Sequence, residues 1–337
     1  MKPGFLILLP ALCLVSGCET LSYYSQAIRG QLSLMSAARP LGEWLADPAT
    51  TPELRGRLQT AQHIRDFASK RLALPLNGSY ASYADLGRPY VVWNVYAAAR
   101  FSVSPKQECF PITGCVSYRG FFSEDEARRQ AARLRAEGHD VYVGGVPAYS
   151  TLGWFDDPLL STFIQYPDVQ LARLIFHELA HQRVYVKGDT TFNESFAVTV
   201  EEEGVKRWLD AEGRSSELAA LRAARLRRQE FAQRVAQTRE RLSQVFQEKI
   251  PEQQMLARKA EEWEKLRRDY PTIVPAEPNN AYLVSIALYT QLVPEFERLL
   301  AGCAGNLAQF YDRVEALAAN RREARVALTS AGCRQTS

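Results

Sequence analysis

The chain contains four histidines, and two of them, His177 and His181, stand four residues apart with Glu178 directly after the first. Residues 168–186 hold no glycine or proline, and their apolar spacing predicts a helix. On a helix, residues four apart are offset by about 40° and about 6 Å, so both imidazoles leave the same face. Two neutral imidazoles placed in this way can hold one zinc ion, which accepts histidine nitrogen at about 2.0–2.1 Å. Glu178 adjoins the first ligand and reaches a water on such an ion without binding it. The chemistry implied is hydrolysis by an activated water.

A catalytic zinc takes three protein ligands and keeps a fourth position for water. Downstream, Lys187-Gly188-Asp189 breaks the first helix, and a second is expected to start near Thr191 or Asn193. Glu194 then falls in its first turn, and a short connection folds that helix back to aim Glu194 at the metal. Glu201, Glu202 and Glu203 compete for the same role. Glu201 lies two turns on, on roughly the same face, and suits fixing a histidine tautomer through its ring N–H.

His177-Glu178-Leu179-Ala180-His181 is the HExxH arrangement of zinc metallopeptidases. The segment Asn193-Glu194-Ser195-Phe196-Ala197 resembles the glutamate-ligand motif of gluzincins, although its distance from HExxH is shorter than is familiar there. Over nearly its full length the chain resembles a family of predicted bacterial aminopeptidases, lipoproteins of Gram-negative organisms. The likeness includes Tyr23-Tyr24, Gly30-Gln31-Leu32, the Cys109–Cys115 loop running into Val116–Phe121, Ala148–Phe155, and Asn279-Asn280-Ala281. It implies one Zn²⁺ on His177, His181 and Glu194, with Glu178 as general base.

An oxyanion donor is also required. His63 and His139 are remote in sequence, so tyrosines are the candidates: Tyr149, Tyr185, Tyr282 and Tyr289. Tyr289 lies in a helix-like segment after the motif, where gluzincins carry this donor. In zincins the strand before the catalytic helix is an open edge to which substrate adds as a further strand. That places Gly145, Ala148 and Tyr149 at the substrate, or in a plain connecting loop. For aminopeptidase action a carboxylate must hold the α-ammonium, and Asp156, Asp157 and Glu201–Glu203 are available. Two alternatives stand beside this reading: an endopeptidase of envelope proteins, and a non-catalytic metal-binding lipoprotein scaffold.

The elements that must position these groups are legible in outline. Residues 19 to about 72 read as helical with interruptions at Pro40 and Pro52. Tyr90–Tyr96, Val116–Phe121 and Val141–Val143 read as strands, the last closed by Gly144-Gly145. Ser123 and Glu126 form a capping box that opens a helix ended by Gly138. From Leu159 onward the chain is mostly helical, with a long charged hairpin over 215–270 broken at Pro251. Its arginines between Arg222 and Arg241 present either a polyanion-binding face or an ordinary solvated surface. The fold class is therefore α+β, mostly helical: a small mixed sheet, a zincin-type helix pair and a C-terminal helical region. The expected boundaries are residues 1–17 as a leader and 18–337 as the metallopeptidase domain. The latter divides into helices plus sheet (18–158), zinc-binding helices (159–210) and a helical region (211–337).

Met1-Lys2 and the short apolar run Phe5–Val15 have the layout of a secretory signal. Val15-Ser16-Gly17-Cys18 resembles a bacterial lipobox, which implies acylation of Cys18. With Glu19 following, the resemblance implies lipid anchoring in the inner leaflet of the outer membrane, facing the periplasm. With Cys13 in the leader and Cys18 acylated, the four remaining cysteines are expected to pair in such an oxidising compartment, Cys109 with Cys115 across a short loop and Cys303 with Cys333. A net charge of +3 gives no reason to expect a nucleic-acid partner. The expected partners are a peptide substrate and, through the lipid, a membrane.

Overall fold

The computed structural model describes residues 8–110, 114–319, 324–330 and 332–333. The first seven residues of the leader lie outside the described residues. So do the side chains of residues 8–22, Cys18 among them, and that of Tyr289.

Helix α1 (Leu8–Ala37) leads through β1 (Arg39–Pro40) and α2 (Leu41–Ala46) into α3 (Pro52–Leu72). Proline opens α3, where its missing N–H costs nothing. Thr51 Oγ1 accepts from Leu54 N at 3.2 Å, satisfying one of the free donors of the first turn. Six strands follow around one helix: β2 (Ser82–Ala84), β3 (Val92–Ala99), β4 (Glu108–Phe110), β5 (Gly114–Val116), β6 (Tyr118–Phe121), α4 (Glu124–Ala136) and β7 (His139–Val146). A short strand β8 (Leu159–Leu160) precedes a helical remainder: α5 (Asp168–Arg183), α6 (Thr190–Ala211), α7 (Leu218–Gln247), α8 (Glu252–Asp269), α9 (Asn280–Thr290), α10 (Val293–Gly302), α11 (Leu307–Ala319) and α12 (Ala324–Ser330).

The mostly helical α+β expectation holds, with the strands divided among three small units instead of one sheet. Strands β1-β2-β8 form a mixed sheet, β6-β3-β7 an antiparallel one, and β4-β5 a hairpin. Strand β7 does not stop at its glycines. It runs through them to Val146, with Asn94 opposite Gly144 and Trp93 opposite Gly145. Ser123 Oγ caps α4 by accepting from Glu126 N at 3.4 Å. Alternation along β3 sends Trp93, Val95 and Ala97 to one face, where they bury Ala127, Ala131 and Leu134 of α4. Cys109–Cys115 bridges the β4-β5 hairpin, and Cys303–Cys333 ties α10 to the segment after α12.

Helix α5 sits at the centre of the largest core, burying Leu171, Ala172, Ile175, Phe176 and Leu179 against α3 and α6. Close approach is possible because α6 carries Gly204 at the contact. A Cβ there would come within 2.8 Å of both Leu72 and the Phe176 ring. Phe176 is fully buried, and its truncation to Ala would cost about 3–5 kcal/mol.

Helices α7 and α8 form the expected charged hairpin, with Pro251 starting the second arm. Val235 and Leu242 meet Trp263 and Leu266 along an apolar seam. Several of its arginines are paired with acids: Arg228 with Glu202 at 2.9 Å, Arg234 with Asp269 at 2.5 Å and Arg241 with Glu262 at 2.5 Å. These pairings favour the solvated-surface reading of that face over a polyanion site.

Candidate metal centre and active-site cavity

Helix α6 begins one residue before Thr191, because Asp189 Oδ1 accepts from Phe192 N at 3.0 Å and caps it. Glu194 therefore lies one full turn into the helix. The connection from α5 is held by Asn193, whose buried carboxamide accepts from Val186 N at 2.7 Å and donates to Val186 O at 2.9 Å. This paired bond fixes the start of α6 against the preceding loop. The neighbouring Glu194 is thereby aimed at the α5 histidines.

His177 Nε2 lies 3.2 Å from His181 Nε2 and 3.2 Å from Glu194 Oε2, and His181 Nε2 lies 3.5 Å from that same oxygen. Four ligands at about 2.0–2.1 Å around a tetrahedral zinc would stand about 3.3 Å apart. The triangle thus has the dimensions of one face of such a tetrahedron. Glu201 Oε2 lies 2.9 Å from His177 Nδ1. A carboxylate there holds the ring proton on Nδ1 and leaves Nε2 as a lone pair. That lone pair then faces a second imidazole nitrogen and a carboxylate, an arrangement of acceptors that a cation satisfies. His177, His181 and Glu194 are the metal-compatible group among the described residues.

Arg173, one turn before His177, pairs with Glu201 and holds it in place. Glu202 and Glu203 point elsewhere, to Arg225 and Arg228 and to Lys206 and Arg207. His181 Nδ1 is buried with no hydrogen-bond partner among the described residues.

Glu178 is 8% exposed. Burial pushes its pKa up, against the opposing pull of the two imidazoles. At Glu194 burial also acts upward, but His181 and His177 overcome it and hold the carboxyl at about 2. Asp157 is buried, and desolvation pushes it up to about 6 although Thr151 N donates to its Oδ2 at 2.9 Å.

The centre opens on a cavity of about 1370 Å³ between the β6-β3-β7 sheet and helices α5, α6, α7 and α9. Gly145, Ala148 and Tyr149 all line it, and β7 is an edge strand with β3 as its one neighbouring strand among the described residues, its Val141 carbonyl accepting from Asn279 Nδ2 at 3.0 Å. Neither Asp156 nor Asp157 is among the lining residues.

Of the tyrosine candidates, Tyr282 is committed, its hydroxyl donating to Ile273 O at 2.9 Å. Tyr149 OH is buried without a partner among the described residues, and the Asp157 and Glu178 carboxylates add to the burial that raises its pKa. Tyr185 is half exposed and feels the charge of Glu194. Tyr118, which the sequence did not single out, is buried and also feels Glu194. Arg173 was missed as well. Arg173 had a signal, being four residues before His177 on the same helical face.

With this geometry in place, the chain matches the family described as "putative aminopeptidase" over residues 22–328 and belongs to it. Comparison with curated proteins and with solved structures gives no match.

Proposed function

We propose that the protein is a zinc-dependent peptidase, an aminopeptidase by family, acting in the periplasm from a lipid anchor at Cys18. The observation that carries the zinc reading is the triangle of His177 Nε2, His181 Nε2 and Glu194 Oε2, with Glu201 on the back of the first ring. Zinc held there supplies Lewis acidity toward water and the scissile carbonyl. Glu178 takes the proton of the attacking water and delivers it to the departing amine. Its buried position keeps bulk water from competing for that proton. Glu201 and Arg173 keep His177 in the tautomer that presents Nε2. The edge of β7 can hold the peptide backbone in extended form, although the space beside Gly145 that was expected to admit the substrate is filled by the Tyr90 ring. A tyrosine hydroxyl, Tyr289 or one of the cavity tyrosines, supports the developing oxyanion.

The test is digestion of a peptide library read by mass spectrometry, with a chelator control and metal analysis. Purified protein is expected to hold one zinc and to trim free amino termini. His177→Ala and Glu194→Ala lose the metal, while Glu178→Gln keeps it and loses hydrolysis. Equal cleavage by wild type and Glu178→Gln refutes the catalytic assignment. Cleavage of N-blocked peptides instead would make it an endopeptidase, and bound zinc without hydrolysis would make it a metal-binding scaffold. Acylation is checked by the mass of the mature N-terminus, where an unmodified Cys18 removes the anchor.

A further inference from the structure

The two walls of the cavity differ in kind. Every charged side chain that lines it comes from the helical side, between Arg173 and Arg228. The sheet contributes none. Its cavity face is ordered in three rows set by the strand register: Tyr118–Tyr96–Tyr142, Gly120–Asn94–Gly144, and Val92 beside Val146. Rows on one face of a sheet lie roughly 7 Å apart, close to the thickness of two stacked rings. The tyrosines form a ladder, with Tyr96 5.1 Å from Tyr118 and 6.1 Å from Tyr142 between ring centres.

The outer rows are accounted for by packing. Tyr96 joins Ala281, Val284 and Leu288 of α9, and Val92 joins the main core. The middle row belongs to neither cluster. It is flanked by two glycines and carries one carboxamide, Asn94, which is 5% exposed. Gly120 makes room for Val92 and for it, since a Cβ there would lie 3.0 Å from Val92 Cγ1 and 3.2 Å from Asn94 Oδ1, while one on Gly144 would lie 3.2 Å from the Tyr142 ring. Asn94 Nδ2 donates only a long bond of 3.4 Å to Tyr96 OH, and Oδ1 accepts none among the described residues. A core position between two apolar rows would be filled more stably by an apolar side chain, because a buried, poorly bonded amide loses its water without replacement.

We infer that the middle row is the side-chain subsite of the enzyme, and that it takes an uncharged aromatic residue next to the scissile bond. The ring stacks against the tyrosine ladder on one side and Val92 on the other, and Asn94 hydrogen-bonds its polar edge, a phenol hydroxyl or an indole N–H. The neutral wall rejects Lys, Arg, Asp and Glu, whose charge would be desolvated without a partner. The subsite adjoins the metal centre, since Asn94, Gly120 and Gly144 line the same cavity as His177, His181 and Glu194. This deepens the peptidase reading and rests on it.

The test measures kcat/KM of the zinc-loaded protein on peptides that differ only in the residue before the scissile bond. Tyr, Trp and Phe are expected to exceed Lys and Glu by at least about tenfold. Asn94→Ala narrows the Tyr-to-Phe ratio, and the isosteric Asn94→Asp shifts preference toward Lys, with zinc content and thermal midpoint checking that each variant is folded. A preference for charged residues, or an equal loss on all substrates in folded variants, overturns the inference. Calorimetry of tyrosinamide and lysinamide on the Glu178→Gln protein separates the two readings. If no peptide is cleaved but tyrosinamide binds and Asn94→Ala abolishes binding, the subsite stands and the hydrolase reading falls. If tyrosinamide does not bind, the subsite falls.

Discussion

Helices α5 and α6 and helices α7 and α8 are two charged helix pairs that settle their charge in opposite ways. In the α7/α8 hairpin, arginines are neutralised by acids near the surface, as in Arg234 with Asp269. In the α5/α6 pair two histidines and two glutamates are gathered in a largely buried cluster, and three of their ligand atoms lie within 4.8 Å of one another. Pairwise neutralisation leaves nothing for a ligand to do. Convergence of lone pairs in a buried site leaves a demand for a cation, and the folded core carries the cost of holding that demand open. Asp157 is a third case, a buried acid with no cation beside it.

The sharpest way to break this contrast is Glu178→Gln. It is expected to lower kcat about 10²–10⁴-fold while leaving zinc content near wild type, measured by peptide turnover and elemental analysis.

Asp157 tests the cost of an unpaired buried charge. Its folded pKa of about 6 lies above the unfolded value of about 3.9. The stability favouring the protonated form is thus fully present below about pH 3.9 and lost as pH rises through 6. Above pH 7 the ionised carboxylate costs about 3 kcal/mol. Asp157→Asn should therefore raise the thermal midpoint at pH 8 and leave it nearly unchanged at pH 4. A gain that is the same at both pH values would show that charge is not its cause.

Glu201→Gln keeps the shape of the outer partner but weakens its hold on the His177 ring proton. Zinc affinity in competition with a chromophoric chelator should fall about 10–100-fold.

The smallest effect belongs to the hairpin. Arg234→Ala should cost no more than about 1 kcal/mol in chemical denaturation and leave zinc content unchanged. A larger loss would show that the hairpin's charges are as interdependent as those of the metal centre.

The helix pair was legible because its chemistry is local. His177, Glu178 and His181 share one helical face, and Glu194 follows a visible helix break, so spacing alone brought them near one another. Glu201 followed from helical periodicity. The capping box at Ser123 and the break at Pro251 were readable for the same reason. What was not legible depends on pairing across sequence. Asn94 stands in an ordinary strand pattern, and its meaning arises only when the register sets Gly120 and Gly144 on either side. Tyr118 reaches the site through the same sheet. The glycines read as the end of β7 lie inside it, because backbone pairing with β3 outweighs their weak strand preference. Helix α6 starts earlier than expected because Asp189, read as part of the break, is its cap.

The central claim is that the convergent trio binds one zinc ion on which peptide hydrolysis depends. Titration of zinc into chelator-stripped protein, followed by turnover of a peptide with a free amino terminus, tests it most directly. Activity should return linearly and break at one equivalent of metal, with no return in Glu194→Ala. Full turnover by stripped protein, or recovery in Glu194→Ala identical to that of wild type, would contradict it.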